Sequence, residues 1–134
     1  MAVIDSGIAP HIYLGGSRLV AFVDFVNGRT TPYDDYGHGT HVAGIIAGSG
    51  AASSTQVSPY TGVAPGTNLV ALKVLDGRGT GRTSDVIAAF EWVLANAAAY
   101  NIKVVNVSLG HPIYEPASLD PLVQLVEQIG RAHV

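Results

Sequence analysis

Near-continuous apolar runs at Met1–Ile4, Asn68–Val74 and Ile102–Leu109 constrain what this chain can fold into more than any other feature. A strand with one wet face alternates apolar and polar residues, whereas a strand apolar on both faces must be covered on both. The intervening segments supply that cover. His38–Ala47 is rich in Ala, Val and Ile and stops before Gly48, a residue type that often ends helices. From an N-cap at Ser84, a helix of about 15 residues sets Val86, Ile87, Phe90, Val93, Leu94 and Ala97 on a periodic stripe. Asp120–Arg131 repeats the pattern with Leu122, Val123, Leu125, Val126 and Ile129, and Leu19–Phe25 reads as a further strand. Strands and helices in this succession predict an α/β fold, with an open, mostly parallel sheet and helices on both faces. A length of 134 residues suits one domain, spanning residues 1–134.

Composition narrows the function classes. Hydrophobic residues make up 48% and charged residues 13%, which supports a sizeable core under a sparsely charged surface. A net charge of −3 without a basic cluster argues against nucleic acid as a partner. There is no cysteine, so disulfides and thiolate metal sites are excluded. No apolar run is long enough to span a membrane. Met1 runs straight into Ala2-Val3-Ile4 without a basic leader, and nothing in the sequence fixes a compartment.

In open parallel sheets, ligands bind beyond the carboxyl ends of the strands. Asp5, Asp76–Gly81 and Ser108–Gly110 lie just past predicted strand ends, so they should converge on one edge. Asp76–Arg82 carries Gly77, Gly79 and Gly81 and reads as a loop with permissive backbone. Asn27–Gly37 is turn-rich, and Asp34 and Asp35 read as a solvated turn, with tuning of a site's rim as the alternative. A dinucleotide site is disfavoured, because Asp5-Ser6-Gly7-Ile8-Ala9-Pro10 offers a single Gly after the first strand. The spacing of His38 and His41 fits a metal pair on one helix face, but no Glu stands beside them. His11, His111 and His133 lie in other contexts, so no metal site is expected. His41 is expected to be a buried, hydrogen-bonded structural residue.

Three blocks resemble the subtilisin-like serine proteases (subtilases, peptidase S8): Val3-Ile4-Asp5-Ser6-Gly7, His38-Gly39-Thr40-His41-Val42-Ala43-Gly44 and Val105-Asn106-Val107-Ser108-Leu109-Gly110. Gly62-Val63-Ala64-Pro65 and Lys73-Val74-Leu75 support them in the expected order. Each block alone is moderately specific; all in order are highly specific. The resemblance implies a serine endopeptidase working by an Asp-His-Ser triad. It makes Asp5 the carboxylate that orients the His and His38 the general base. It also places Gly79-Thr80-Gly81 and Ser108-Leu109-Gly110 on the two sides of a groove that takes a peptide or protein substrate as an added strand. Leu109 and Gly110 would shape the pocket for the residue before the scissile bond.

The pattern is only partly present. The family's nucleophile stands in a Gly-Thr-Ser-Met-Ala-like segment and its oxyanion Asn in an Ala-Ala-Gly-Asn-like segment; neither occurs in this sequence. The resemblance therefore implies a partial peptidase domain, cut at both ends and inactive by itself. The alternative is an inactive pseudo-protease that keeps the groove as a peptide-binding module. No cofactor is expected. Calcium is frequent in the family, but Ser49–Tyr60 holds no Asp, Glu or Asn to ligate it. In the family's sheet order a further strand would cover Ile102–Val107, so an exposed apolar edge, prone to self-association, is expected.

Overall fold

Pairing between the apolar runs builds the sheet. A computed structural model describes residues 1–14, 16–51, 60–110, 112 and 116–132. Strands β1 (Ala2–Asp5), β2 (Leu19–Asp24), β3 (Leu69–Lys73) and β4 (Val105–Val107) form one sheet in the order β2-β3-β1-β4. All its pairings are parallel, with Asp5 opposite Lys73 and Ala2 opposite Val105. Helices α1 (His38–Ala47), α2 (Thr83–Asn96) and α3 (Pro121–Ala132) complete the fold. Among the described residues, no helix is long and apolar enough to cross a membrane.

The period of two along each strand sorts the core into two layers. Val3, Leu69 and Ala71 face α1 and pack with its Ala43 and Ala47. Ala2, Ile4, Val70 and Leu72 face the other way, onto Val86, Ala89, Phe90 and Val93 of α2 and Leu122 of α3. Each fully buried Ile, Leu or Val contributes about 1.5–3 kcal/mol. Helices therefore lie on both faces, as the apolar-on-both-faces strands predict.

Several boundaries differ from the sequence expectation. β4 covers Val105–Val107, not Ile102–Leu109, because it pairs only as far as β1 runs beside it, from Ala2 to Ile4. Ile102 is still buried, but Lys103 and Val104 are exposed. Within this sheet β4 is the edge strand, and Val107 is exposed upon it. The N-cap of α2 is the extended Arg82, whose carbonyl accepts from the Asp85 and Val86 amides. Ser84 lies inside the first turn, its hydroxyl 3.4 Å from Asp85 Oδ1. α3 begins at Pro121, one residue later than the expected Asp120; Asp120 Oδ1 accepts the Leu122 amide at 2.8 Å, and Pro121 takes the first helical position, where its missing N–H costs nothing. Most of the Ser49–Tyr60 loop, on which the calcium expectation rests, lies outside the described residues, as do His111 and His133.

Candidate active site

Because every strand is parallel, the carboxyl ends of β1, β3 and β4 open on one edge of the sheet. Asp5 closes β1 and is 1% exposed. His38 opens α1, and its Nδ1 lies 2.7 Å from Asp5 Oδ1, with the imidazole partly exposed and the carboxylate buried. An ionised carboxylate can only accept, so this contact places a ring proton on Nδ1, and in the neutral imidazole Nε2 then carries the lone pair. Asp5 Oδ1 also accepts the Ser6 amide at 2.7 Å, whereas buried Oδ2 has no partner among the described residues. A helix could not approach this closely with a side chain at its second position. A Cβ on Gly39 would strike the Gly7 carbonyl oxygen and come within 3.1 Å of Asp5 Cβ.

The start of α1 is held in an unusual way. Gly37 is the N-cap, in left-handed conformation at φ 92°, and has no side chain to satisfy the free amides of the first turn. Residues distant in sequence do so instead. The Gly39 amide donates to Ser6 Oγ at 2.9 Å, and the Thr40 amide donates to Asp34 Oδ2 at 2.8 Å. Ser6 Oγ donates in turn to Asp34 Oδ1, which also accepts the Tyr36 and Gly37 amides. The Thr40 hydroxyl donates to Asp34 Oδ2 and accepts the Ala9 amide. Asp34 is thus a junction between β1 and α1, not a solvated turn residue. The sequence signal available was an Asp in a turn-rich segment, where its carboxylate accepts the amide two residues on, here that of Tyr36. The bonds to Ser6 and Thr40 could come only from the fold.

Asp35 is likewise more than a rim residue. Its Oδ1 lies 2.6 Å from Lys73 Nζ, and Lys73 is completely buried at the end of β3. The same ammonium donates to the carbonyls of Ser6 at 2.7 Å and Leu75 at 2.6 Å, and sits over the Tyr33 ring. Sequence reasoning used Lys73 only as part of a motif and missed this role.

Burial pushes the Asp34 carboxyl up, but bonds from the Thr40 hydroxyl, the Gly37 and Thr40 amides and the Ser6 hydroxyl outweigh burial and hold it below the ordinary 3.8. Asp24 behaves alike: burial raises it, while the Asn27 amide, the Tyr33 hydroxyl and the Arg29 and Val26 amides lower it further. A carboxylate with a lowered folded pKa stabilises fully above its unfolded value and loses that contribution as pH falls through the folded one. Acid unfolding followed by circular dichroism should therefore steepen below 3.8, and Asp34→Asn should flatten that limb. An unchanged acid limb in the variant would show that Asp34 carries none of it.

His38 faces a cleft of about 420 Å³ that is also lined by Tyr36, Leu75, Gly79-Thr80-Gly81 and Ser108-Leu109-Gly110. The fold thus brings the predicted groove residues together beside His38, with Asp5 buried behind it. The loop after β3 is a tight turn, not a slack one. Asp76 Oδ1 accepts the Arg78 and Thr80 amides, and Gly79 stands at φ 75° under the Tyr36 ring. Ser108 is exposed, and its hydroxyl accepts from Asn106 Nδ2 at 2.8 Å. His41 is exposed, contrary to expectation. The buried stripe of α1 runs through Gly39, Ala43 and Ala47, and position 41 falls on the opposite side of a 3.6-residue helix.

Known proteins are similar to this chain in sequence and in fold. The chain is 43% identical over its whole length to the serine protease AprX of Bacillus subtilis (strain 168), of which it spans 30%. It is 43% identical to alkaline serine exoprotease A of Vibrio alginolyticus, over 96% of this chain and 21% of that one. It is 42% identical to subtilisin E of Bacillus subtilis (strain 168), over 84% of this chain and 27% of that one. Among solved structures, a cold adapted subtilisin-like serine proteinase superposes with a TM-score of 0.72 at 40% identity, covering 95% of this chain and 41% of that one. The model of the subtilase family matches residues 1–133, and with the α/β architecture already described the chain belongs to the subtilase family of serine proteases.

Proposed function

We propose that this chain supplies the Asp-His half of an Asp-His-Ser triad in a serine endopeptidase, with the nucleophile and oxyanion donor lying outside these 134 residues. The observation that carries the reading is the 2.7 Å contact between buried Asp5 and the half-exposed His38 at the mouth of the cleft. In this reading His38 Nε2 takes the proton of the attacking Ser hydroxyl and later returns it to the leaving amine. Asp5 holds the ring in the correct tautomer and stabilises its protonated form. Gly79-Thr80-Gly81 and Ser108-Leu109-Gly110 take a peptide between them as an added strand, with main-chain bonds giving affinity.

The test is cleavage of a peptide substrate by the product of the reading frame continued past Val134, wild type against His38→Ala. Equal rates would end the reading, and peptide binding without cleavage would leave a pseudo-protease groove. The chain by itself should not cleave, because it lacks a nucleophile segment.

The edge position of β4 motivates a second expectation for the isolated chain. A strand edge that is unpaired among the described residues, with Val107 exposed, invites pairing with another copy. Light scattering at increasing concentration should show association; a monodisperse monomer throughout would count against it.

A further inference from the structure

The mechanism just described uses Asp5 and His38 but leaves Ser6, Asp34 and Thr40 without a part. These side chains form a closed circuit around the dyad. Asp5 Oδ1 accepts from both His38 Nδ1 and the Ser6 amide. Ser6 Oγ accepts the Gly39 amide, one residue beyond His38, and donates to Asp34. Asp34 grips Thr40 through amide and hydroxyl, and Thr40 Oγ1 accepts the amide of Ala9 from the segment that follows β1. Together these links tie the end of the strand that carries Asp5 to the start of the helix that carries His38.

We infer that Asp34 is a positioning residue for the Asp5–His38 pair, acting through the Ser6 hydroxyl and the first turn of α1. This rests on the reading of Asp5 and His38 as the proton-handling pair. The physical reason is the glycine N-cap. With Gly37 unable to cap, the amides of Gly39 and Thr40 need acceptors, and only Ser6 and Asp34 supply them among the described residues. The same acceptors fix the height and rotation of α1 on the sheet. A helix start free to shift by even part of an ångström would lengthen the contact at His38 Nδ1, and catalytic groups tolerate little such error.

The experiment uses protein labelled with ¹⁵N in histidine and reads solvent exchange of the His38 Nδ1 proton by NMR, so it requires no catalysis. Asp34→Ala and Ser6→Ala should each speed that exchange at least about tenfold, the factor for losing one hydrogen bond to a charged group. Amides of β1 and β3 should keep their wild-type exchange. Asp34→Asn, which retains one acceptor oxygen, should restore part of the protection. Wild-type exchange at His38 in folded Asp34→Ala and Ser6→Ala overturns the inference. Should Asp34→Ala fail to fold, Ser6→Ala and Thr40→Val, uncharged and similar in size to what they replace, decide it by the same readout. Absence of proteolysis in a protein whose His38 proton responds as expected would refute the catalytic reading and leave the positioning role intact.

Discussion

His38→Ala is expected to lower kcat/KM for a chromogenic peptide about 10⁶-fold in the protein that also carries the nucleophile, the order of loss found for the triad His of subtilisin itself. The variant should also lose about 1–3 kcal/mol of stability, because it takes a hydrogen-bond donor from the buried Asp5 carboxylate. Asp5→Asn should cost less, about 10⁴-fold, again the order known for losing a triad carboxylate in such enzymes. The difference has a chemical reason. In the proposed reading His38 moves the proton, whereas Asp5 orients the ring and stabilises its charge. An amide at position 5 would also present a donor to Nδ1 and favour the wrong tautomer. Steady-state kinetics with urea melts on the same samples separate chemistry from folding. A His38→Ala enzyme within tenfold of wild type would exclude His38 as the base.

Asp35→Ala is expected to destabilise the fold by about 3 kcal/mol, through an ammonium it does not itself bury. Lys73 is fully buried, and Asp35 is the carboxylate in direct contact with its Nζ. Removing the anion strands a charge in a medium that solvates it poorly, which typically costs 3–5 kcal/mol. The lower end applies because the Asp35 side chain is 44% exposed, so water can take part of its place. The carbonyls of Ser6 and Leu75 and the face of Tyr33 also remain around the ammonium. The double variant Lys73→Met/Asp35→Ala should recover part of the loss, since no unpaired charge is then left inside. Midpoints and slopes of urea unfolding measure all three proteins. An Asp35→Ala loss below about 0.5 kcal/mol would place the pair with ordinary surface salt bridges.

Both outcomes depend on one small region, and its residues were legible in the sequence to different degrees. Asp5 and His38 stand out because their neighbours are so specific. Gly39 is required where a Cβ would meet the Gly7 carbonyl, and the Ala residues of α1 are required where it lies on the sheet. Asp34 and Asp35 were legible only as turn residues. Their bonds to Ser6, Thr40 and Lys73 join positions separated by 28, 6 and 38 residues, and local pattern carries the turn preference without the distant partners. His41 shows the opposite error. It was expected to be a buried structural residue, but the angle of the helix face, set by which small residues touch the sheet, turned it outward.

The sequence by itself determined the class of fold and the family, and singled out Asp5 and His38 as the candidate pair. These follow from hydrophobic period, from glycine where a side chain cannot fit, and from short motifs read in order. Tertiary structure alone decided the length of β4, the N-caps of α1 and α2, and the partners of Ser6, Asp34, Asp35 and Lys73. Each of those is settled by which groups the folded chain brings within hydrogen-bonding distance, and a buried polar group takes the partner that the packing offers it.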